Sequence, residues 1–274
     1  MSPNQFDPEV CQRACREKLA PVYGWPAGEF KLDERLEFYL RLVHDTGKLS
    51  AGHHLLDLGP GLSAFGSMAW ALGMEVTLVD DFGGGGGVEI GNADPMRKVI
   101  EAWKSRLGIR VLEQDFVAQP LPVDSATVDV ATCFHSLEHW HHSPKRLFCE
   151  IARVLRPGGF LIIATPNAAN LRKRIYVPLG NNIGPTLEEW YHEGDPVFRG
   201  HVREPIVHDL RRLLEWNDFD VTATHGRNFI GGDSIALSFL PKPVVRSIAA
   251  ISGRVLRYFP TLCSDIHVVG RKRA

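Results

Sequence analysis

The sequence predicts a doubly wound α/β sheet. Three observations predict it. Short apolar strand-like runs alternate with helical stretches from His54 to Ala164. A glycine-rich turn follows the first of these runs directly and opens a helix. One run, Phe160-Leu161-Ile162-Ile163-Ala164, is apolar throughout, the character of a parallel strand buried on both faces.

Each element has its own signal. Residues 1–50 read as an N-terminal helical segment, in which DERLEFYLRLVHDTG ends on the helix-stopping Gly47. The first strand is His54 to Leu58, and a helix-like stretch then runs to Gly73. Glu75 to Asp80 is rich in β-branched residues and reads as the second strand. Asp94-Pro95 supplies an N-cap and a first-turn proline for a helix that Gly108 closes. Arg110 to Asp115 and Val128 to Phe134 are the third and fourth strands. Ser143-Pro144 opens a helix to Arg156, which Pro157-Gly158-Gly159 ends before the fifth strand. Helix Pro205 to Trp216, strand Asp220 to Thr224 and a strand near Ile266 to Val269 continue the pattern. The domain thus covers 51–274, with long connections at 167–204 and 226–262 that read as pocket-building insertions.

Composition narrows the function classes. The chain has 274 residues, near the upper size for one core, with 44% hydrophobic and 23% charged residues. Disorder, a coiled coil and a collagen-like fibre are excluded by that balance. Lys and Arg (31) nearly cancel Asp and Glu (32). Duplex binders usually carry a basic excess, so no nucleic-acid partner is expected. The longest uncharged run, Leu58 to Met74, is short and broken by glycines, so no integral membrane segment is expected. The N-terminus MSPNQFDPEV has no basic region followed by an apolar one, so no signal peptide is expected. Five cysteines, an odd number, fit reduced thiols in a cytoplasmic enzyme.

The chemistry concentrates after the strands. Gly59, Gly61 and Ala64 fit a G-x-G-x-x-A dinucleotide fingerprint, which alone is a weak signal that an ordinary strand-to-helix turn also satisfies. Asp57 lies two residues before the first glycine, and Asp80 ends the next strand, where a carboxylate can accept from both ribose hydroxyls. Asp81 could serve instead, but Asp80 directly ends the apolar run. Asp115-Phe116 can offer an acceptor to an adenine amine and a ring to the base, although an aspartate there is equally a turn former.

Four stretches, LLDLGPG, VTLVD, LPVDSATVDVATCFHSLEHW and RVLRPGGFLIIATPN, carry a resemblance in order and spacing as well as in letters. The chain resembles the class I S-adenosylmethionine-dependent methyltransferases, especially those acting on small molecules, over His54 to Asn167 and again at 200–224. The resemblance implies a seven-strand, Rossmann-like, mostly parallel sheet whose last strand is antiparallel. It implies S-adenosyl-L-methionine as cofactor. In the same way Asp57, Gly59 and Gly61 would line the methionine part, Asp80 would bind the ribose, and Asp115 and Phe116 would hold the adenine. Phe134 and His135 would sit near the sulfonium. The sequence departs from the family after Asp80, where Asp81-Phe82 leads into five glycines, a loop or a flap beside the adenosine pocket.

Proton transfer needs a group titrating near neutrality, which histidine supplies. His139 is the first candidate base, and His201, ahead of helix 205–216, is the second; each is equally readable as an ordinary polar loop residue. His135, His139, His141 and His142 crowd Glu138, a composition that can bind metal. The H-E-x-x-H spacing is absent and the resembling family carries Leu-Glu-His without a metal, so no metal is expected. Cys11 and Cys15 have no nearby third cysteine, against a radical enzyme. No Asn/Asp-Pro-Pro-aromatic signature follows the fourth strand, against base N-methylation; Thr165-Pro166-Asn167 reads as pocket floor. Residues 244–259 form a basic amphipathic stretch that can pack on the sheet or touch an anionic membrane peripherally. The function expected is methyl transfer to a small-molecule acceptor, a hydroxyl on a sugar or biosynthetic intermediate. A nicotinamide-dependent oxidoreductase and a non-catalytic cofactor-binding scaffold are the alternatives.

Overall fold

The computed structural model describes residues 5–23, 32–83, 93–192, 197–228 and 255–274. Within them the strands are β1 (His54–Leu58), β2 (Glu75–Asp80), β3 (Arg110–Glu113), β4 (Val128–Phe134), β5 (Leu155–Pro166), β6 (Phe219–Arg227) and β7 (Asp265–Lys272). The helices are α1 (Pro8–Tyr23), α2 (Glu34–Asp45), α3 (Phe65–Ala71), α4 (Ala93–Glu101), α5 (Lys145–Val154), α6 (Leu171–Tyr176), α7 (Leu187–Tyr191) and α8 (Val207–Glu215). The pentaglycine beyond Gly83, from Gly84 to Gly87, and the amphipathic stretch up to residue 254 lie outside the described residues.

The strands form one sheet in the order β3-β2-β1-β4-β5-β7-β6. Pairing is parallel from β3 through β5, and β7 runs antiparallel to both β5 and β6. The doubly wound sheet with an antiparallel final strand is therefore the observed fold. Alternation along each strand divides its side chains between two cores. Leu55, Val130 and Ile162 face a core shared with α1, α2 and α3. Leu56, Ala131 and Ile163 face the other, closed by α5 and α8.

Several boundaries differ from the sequence reading, each for a local reason. The helix after β4 stops at Val154, not Arg156, because Leu155 already pairs with Val128. The register then jumps, Val130 facing Phe160, and Arg156 to Gly159 form a bulge. A Cβ on Gly159 would stand 2.9 Å from the Arg156 carbonyl, so the glycine permits the bulge rather than simply ending the helix. Arg156 locks it with a 2.6 Å ion pair to Asp129, whose carboxylate also accepts from the His54 amide. Strand β3 ends at Glu113, leaving Asp115 free to start a turn. The helix before Gly108 begins at Ala93, so Asp94 is its second residue and not its cap; it widens to a π turn over Ala102–Arg106. Asp33 caps α2 by accepting from the Leu36 amide.

The 167–204 connection carries α6 and α7, with Asn170 capping the first and a Thr186–Glu189 capping box starting the second. All five cysteines are free thiols, and burial pushes Cys11 up to about 11 and Cys15 up to about 12. Among the described residues no helix is long and apolar enough to cross a membrane.

Candidate active site

In a doubly wound sheet the ligand crevice opens at the carboxyl ends of the strands where strand order reverses. Here β1 and β4 are neighbours, and the loops after β1, β2 and β4 line a cavity of about 900 Å³. Gly59 and Gly61 both have left-handed φ values, +70° and +52°. A Cβ on Gly59 would stand 2.0 Å from Ser136 Oγ, so only glycine lets the β1 turn pass the β4 exit loop. At Gly61 a Cβ would meet nothing within 4 Å, and this residue lines the open cavity.

Asp80 fastens that turn. Its Oδ2 accepts from the Gly61 amide and its Oδ1 from the Phe82 amide, both at 2.8 Å. Burial raises its pKa, and the two amide hydrogen bonds oppose the rise. Each carboxylate oxygen has a second lone pair to offer a ligand hydroxyl. Asp81 also lines the cavity, but it pairs with Arg199 at 3.2 Å and so ties the β2 loop to the 167–204 insertion.

Asp57 does not line the cavity. It stands behind the glycine turn, 2% exposed, and its Oδ1 accepts a 2.7 Å hydrogen bond from Thr132 on β4. Burial pushes its pKa up to about 7, against the Thr132 hydrogen bond and with a smaller contribution from Asp80. The folded protein therefore keeps this proton to about pH 7, whereas the unfolded chain loses it near 3.8. Stability is expected to fall as pH rises from about 4 to about 7, by on the order of 4 kcal/mol from this group, and to level off above. In melting curves across that range, Asp57→Asn should flatten the slope; an unchanged slope would assign it to other groups.

Asp115, Phe116, Phe134 and His135 all reach the cavity. Asp115 Oδ1 accepts from the Val117 and Ala118 amides, the turn-forming role, while Oδ2 lies 4.0 Å from His142. Phe116 packs edge-on against Trp140 at 5.8 Å, and Trp140 donates to Ser136 Oγ. Phe134 stacks on Tyr39 of α2 with centroids 4.1 Å apart. His135 holds φ at +51°, an uncommon conformation for a side-chain-bearing residue and one concentrated at functional sites. Its ring lies 3.4 Å from Glu138 on one side and 3.4 Å from Asp265 on the other.

His139 ends a 3-10 turn, Leu137–His139, rather than standing in an open loop. The Glu138 carbonyl accepts from the Val202 amide at 2.7 Å, and His139 Nδ1 donates to the Arg199 and Gly200 carbonyls. These bonds pin residues 199–203 across the mouth and bring His201 beside His139, ring centroids 4.9 Å apart. His201 Nδ1 bonds Glu204 at 2.9 Å, and Glu204 is also bound by Lys173. That Glu204 hydrogen bond raises the His201 pKa against desolvation. Burial would raise Glu204, but His201 and Lys173 together hold it below the ordinary carboxylate range.

The sequence reading gave Glu138 no role of its own and passed over Tyr39, Arg199 and Asp265, all of which line this cavity. Glu138 had a signal, an acid amid histidines, but its 1% exposure is a product of the fold. Pro166 lines the cavity too, while the Asn167 amide donates to the Thr261 and Cys263 carbonyls, so this residue braces the floor from behind.

Residues 56–163 match a family model described as a methyltransferase domain. An uncharacterized methyltransferase of Mycobacterium tuberculosis is 29% identical over 171 residues, 62% of this chain and 60% of that protein. The chain thus spans about 60% of the length of the curated relatives it matches first. An S-adenosylmethionine-dependent methyltransferase from Mesorhizobium loti aligns with a TM-score of 0.55 at 19% identity, covering 86% of this chain and 97% of that one. A phosphoethanolamine N-methyltransferase of Haemonchus contortus aligns with a TM-score of 0.53 at 14% identity, covering 99% of this chain and 59% of that one. Sequence match and sheet order agree: over residues 56–163 the chain is similar to the methyltransferase domains that the family model describes, and its sheet has the fold of the solved methyltransferases it aligns with.

Proposed function

We propose that this protein transfers the methyl group of S-adenosylmethionine to a hydroxyl of a small-molecule acceptor in the cytoplasm, a sugar or a biosynthetic intermediate. The observation that carries the proposal is one continuous cavity lined by two kinds of wall. Gly59, Gly61, Asp80, Asp115 and Phe116 form one, and His139, His201 and the 197–201 segment the other.

The residues present fit the cofactor. The open face at Gly61 leaves room for a ligand against the main chain. The half-buried Asp80 carboxylate suits a vicinal diol, and Phe116 supplies an aromatic wall beside the Asp115 acceptor. Bound there, S-adenosylmethionine supplies a methyl on a positive sulfur, for in-line displacement by the acceptor oxygen as the carbon–sulfur electrons stay with sulfur.

The protein's part is alignment and proton removal. Carbonyl oxygens only accept, so His139 Nδ1 carries the hydrogen it gives to Arg199 and Gly200. Its Nε2 is then the free lone pair, able to take the acceptor's hydroxyl proton. His201 is arranged alike through Glu204 and stands second, because its raised pKa leaves it more often protonated. The pinned 199–203 segment of the insertion, with Val197 and Arg199 at the cavity wall, supplies the surface that would select the acceptor.

Calorimetric titration with S-adenosylmethionine and S-adenosylhomocysteine tests the cofactor half. Removing the Asp80 carboxylate by Asp80→Ala is expected to weaken both by roughly 10- to 100-fold, the scale of lost charge-assisted hydrogen bonds. Binding to NAD with none to either sulfur compound would move the chain to the oxidoreductase reading. A screen of hydroxylated metabolites with labelled cofactor tests the acceptor half; tight cofactor binding without turnover of any would favour the scaffold.

A further inference from the structure

Glu138, His139 and His201 each offer a donor atom, and the three atoms lie within 4.8 Å of one another at the cavity wall. Their surroundings prepare each for a ligand. Glu138 is 1% exposed; Thr165 Oγ1 donates to its Oε2, but its Oε1 has no hydrogen-bond partner among the described residues, His135 Nδ1 standing 3.4 Å away. A buried carboxylate oxygen left without a donor is costly unless a cation meets it. His139 has its Nδ1 committed to two backbone carbonyls, and His201 has its Nδ1 committed to Glu204. Both rings are thereby held with Nε2 as the available lone pair. A carboxylate behind a histidine, here Glu204 braced by Lys173, is the usual outer support of a metal-bound imidazole.

We propose that Glu138, His139 and His201 bind a divalent first-row transition ion, with its remaining positions open to the cavity. Two imidazoles and one carboxylate suit ions of the manganese-to-zinc series better than magnesium or calcium, which prefer all-oxygen shells. Three protein ligands with open positions are the pattern of a catalytic rather than a structural site. The role of the ion rests on the methyl-transfer reading above: it would hold the acceptor oxygen and lower its proton affinity, so that the hydroxyl proton leaves to solvent before the oxygen attacks. In that state the two rings are ligands, not bases. The HxxxH-type spacing of hydrolases is not needed, because residue 201 arrives from the insertion and not from the same turn.

The test is metal binding by the full chain, read without cofactor or acceptor. Protein stripped with a chelator is titrated calorimetrically with zinc and manganese, and a cobalt-loaded sample is followed by its visible d–d absorption. The expected result is one ion per chain. Glu138→Gln and His201→Ala should each weaken it by 100-fold or more and abolish the cobalt signature, and His208→Ala on the exposed face of α8 should change neither. Absence of stoichiometric binding overturns the site, and so does binding that both variants retain. Titration of S-adenosylmethionine into the same variants checks that they are folded. Metal binding without methyl transfer would leave this site standing while the proposed reaction fails, and transfer by a chain that binds no metal would do the reverse.

Discussion

Replacing Gly59 with alanine is expected to weaken S-adenosylmethionine binding by roughly 100-fold or more, a loss of about 3 kcal/mol. Two costs combine. The backbone sits at φ +70°, which penalises any residue with a Cβ by about 1–2 kcal/mol. The new methyl would also stand 2.0 Å from Ser136 Oγ and 2.6 Å from Ser136 Cβ, so Ser136 itself must move and not merely rotate. Ser136 accepts from Trp140, and Trp140 packs against Phe116, so the displacement reaches the wall assigned to the adenine. Calorimetry measures the affinity, and circular dichroism checks that the variant is folded. Wild-type affinity in a folded Gly59→Ala protein would mean that the cofactor does not use this turn.

Trp103→Ala should lower the melting temperature by about 10 °C, from about 3–5 kcal/mol of lost stability. Trp103 is 1% exposed, in the core that α1 and α2 share with the sheet. Its Nε1 donates to Tyr23 at 2.7 Å, and Tyr23 bonds Ser67 of α3. Truncation removes the largest fully buried side chain among the described residues and one hydrogen bond to the half-buried Tyr23 hydroxyl. These contacts help link the N-terminal helical segment to the domain that follows, beside Lys18 donating to the Ala71 carbonyl and Arg106 to the Val22 carbonyl. In differential scanning calorimetry, a shift below about 2 °C would show that the segment packs without it.

The sheet was legible because periodicity reports burial, and burial on both faces makes a strand uniformly apolar, as in Phe160 to Ala164. Gly59, Gly61 and Asp80 were legible for a related reason: a tight turn beside a ligand constrains residue type at fixed offsets. The RPGG segment was misread as a helix stop because proline and two glycines mark a bulge as well as they mark a terminus. Glu138 was named among its neighbours but not understood. Its place depends on Thr165, thirty residues or so downstream, and on the 199–203 segment bonding its carbonyl. Tyr39 and Asp265 were invisible as cavity residues, since each comes from an element remote in sequence that topology alone brings to the site.

The position of β7 has a consequence for how the protein is made. It is the last of the seven strands to be synthesised, yet it lies inside the sheet, between β5 and β6. Domains generally begin to fold as they emerge from the ribosome. Strands β1 to β5 can associate in that order, but β6 has no neighbour to pair with until residues 265–272 have emerged. The nascent chain therefore exposes the apolar edge of β5 throughout the synthesis of about a hundred residues, a hazard for strand-edge association. Asp265, which faces His135 across the cavity, arrives with the same strand. Closure of the sheet and completion of the cavity are thus a single late event, and the half-made chain has no finished pocket in which to begin work.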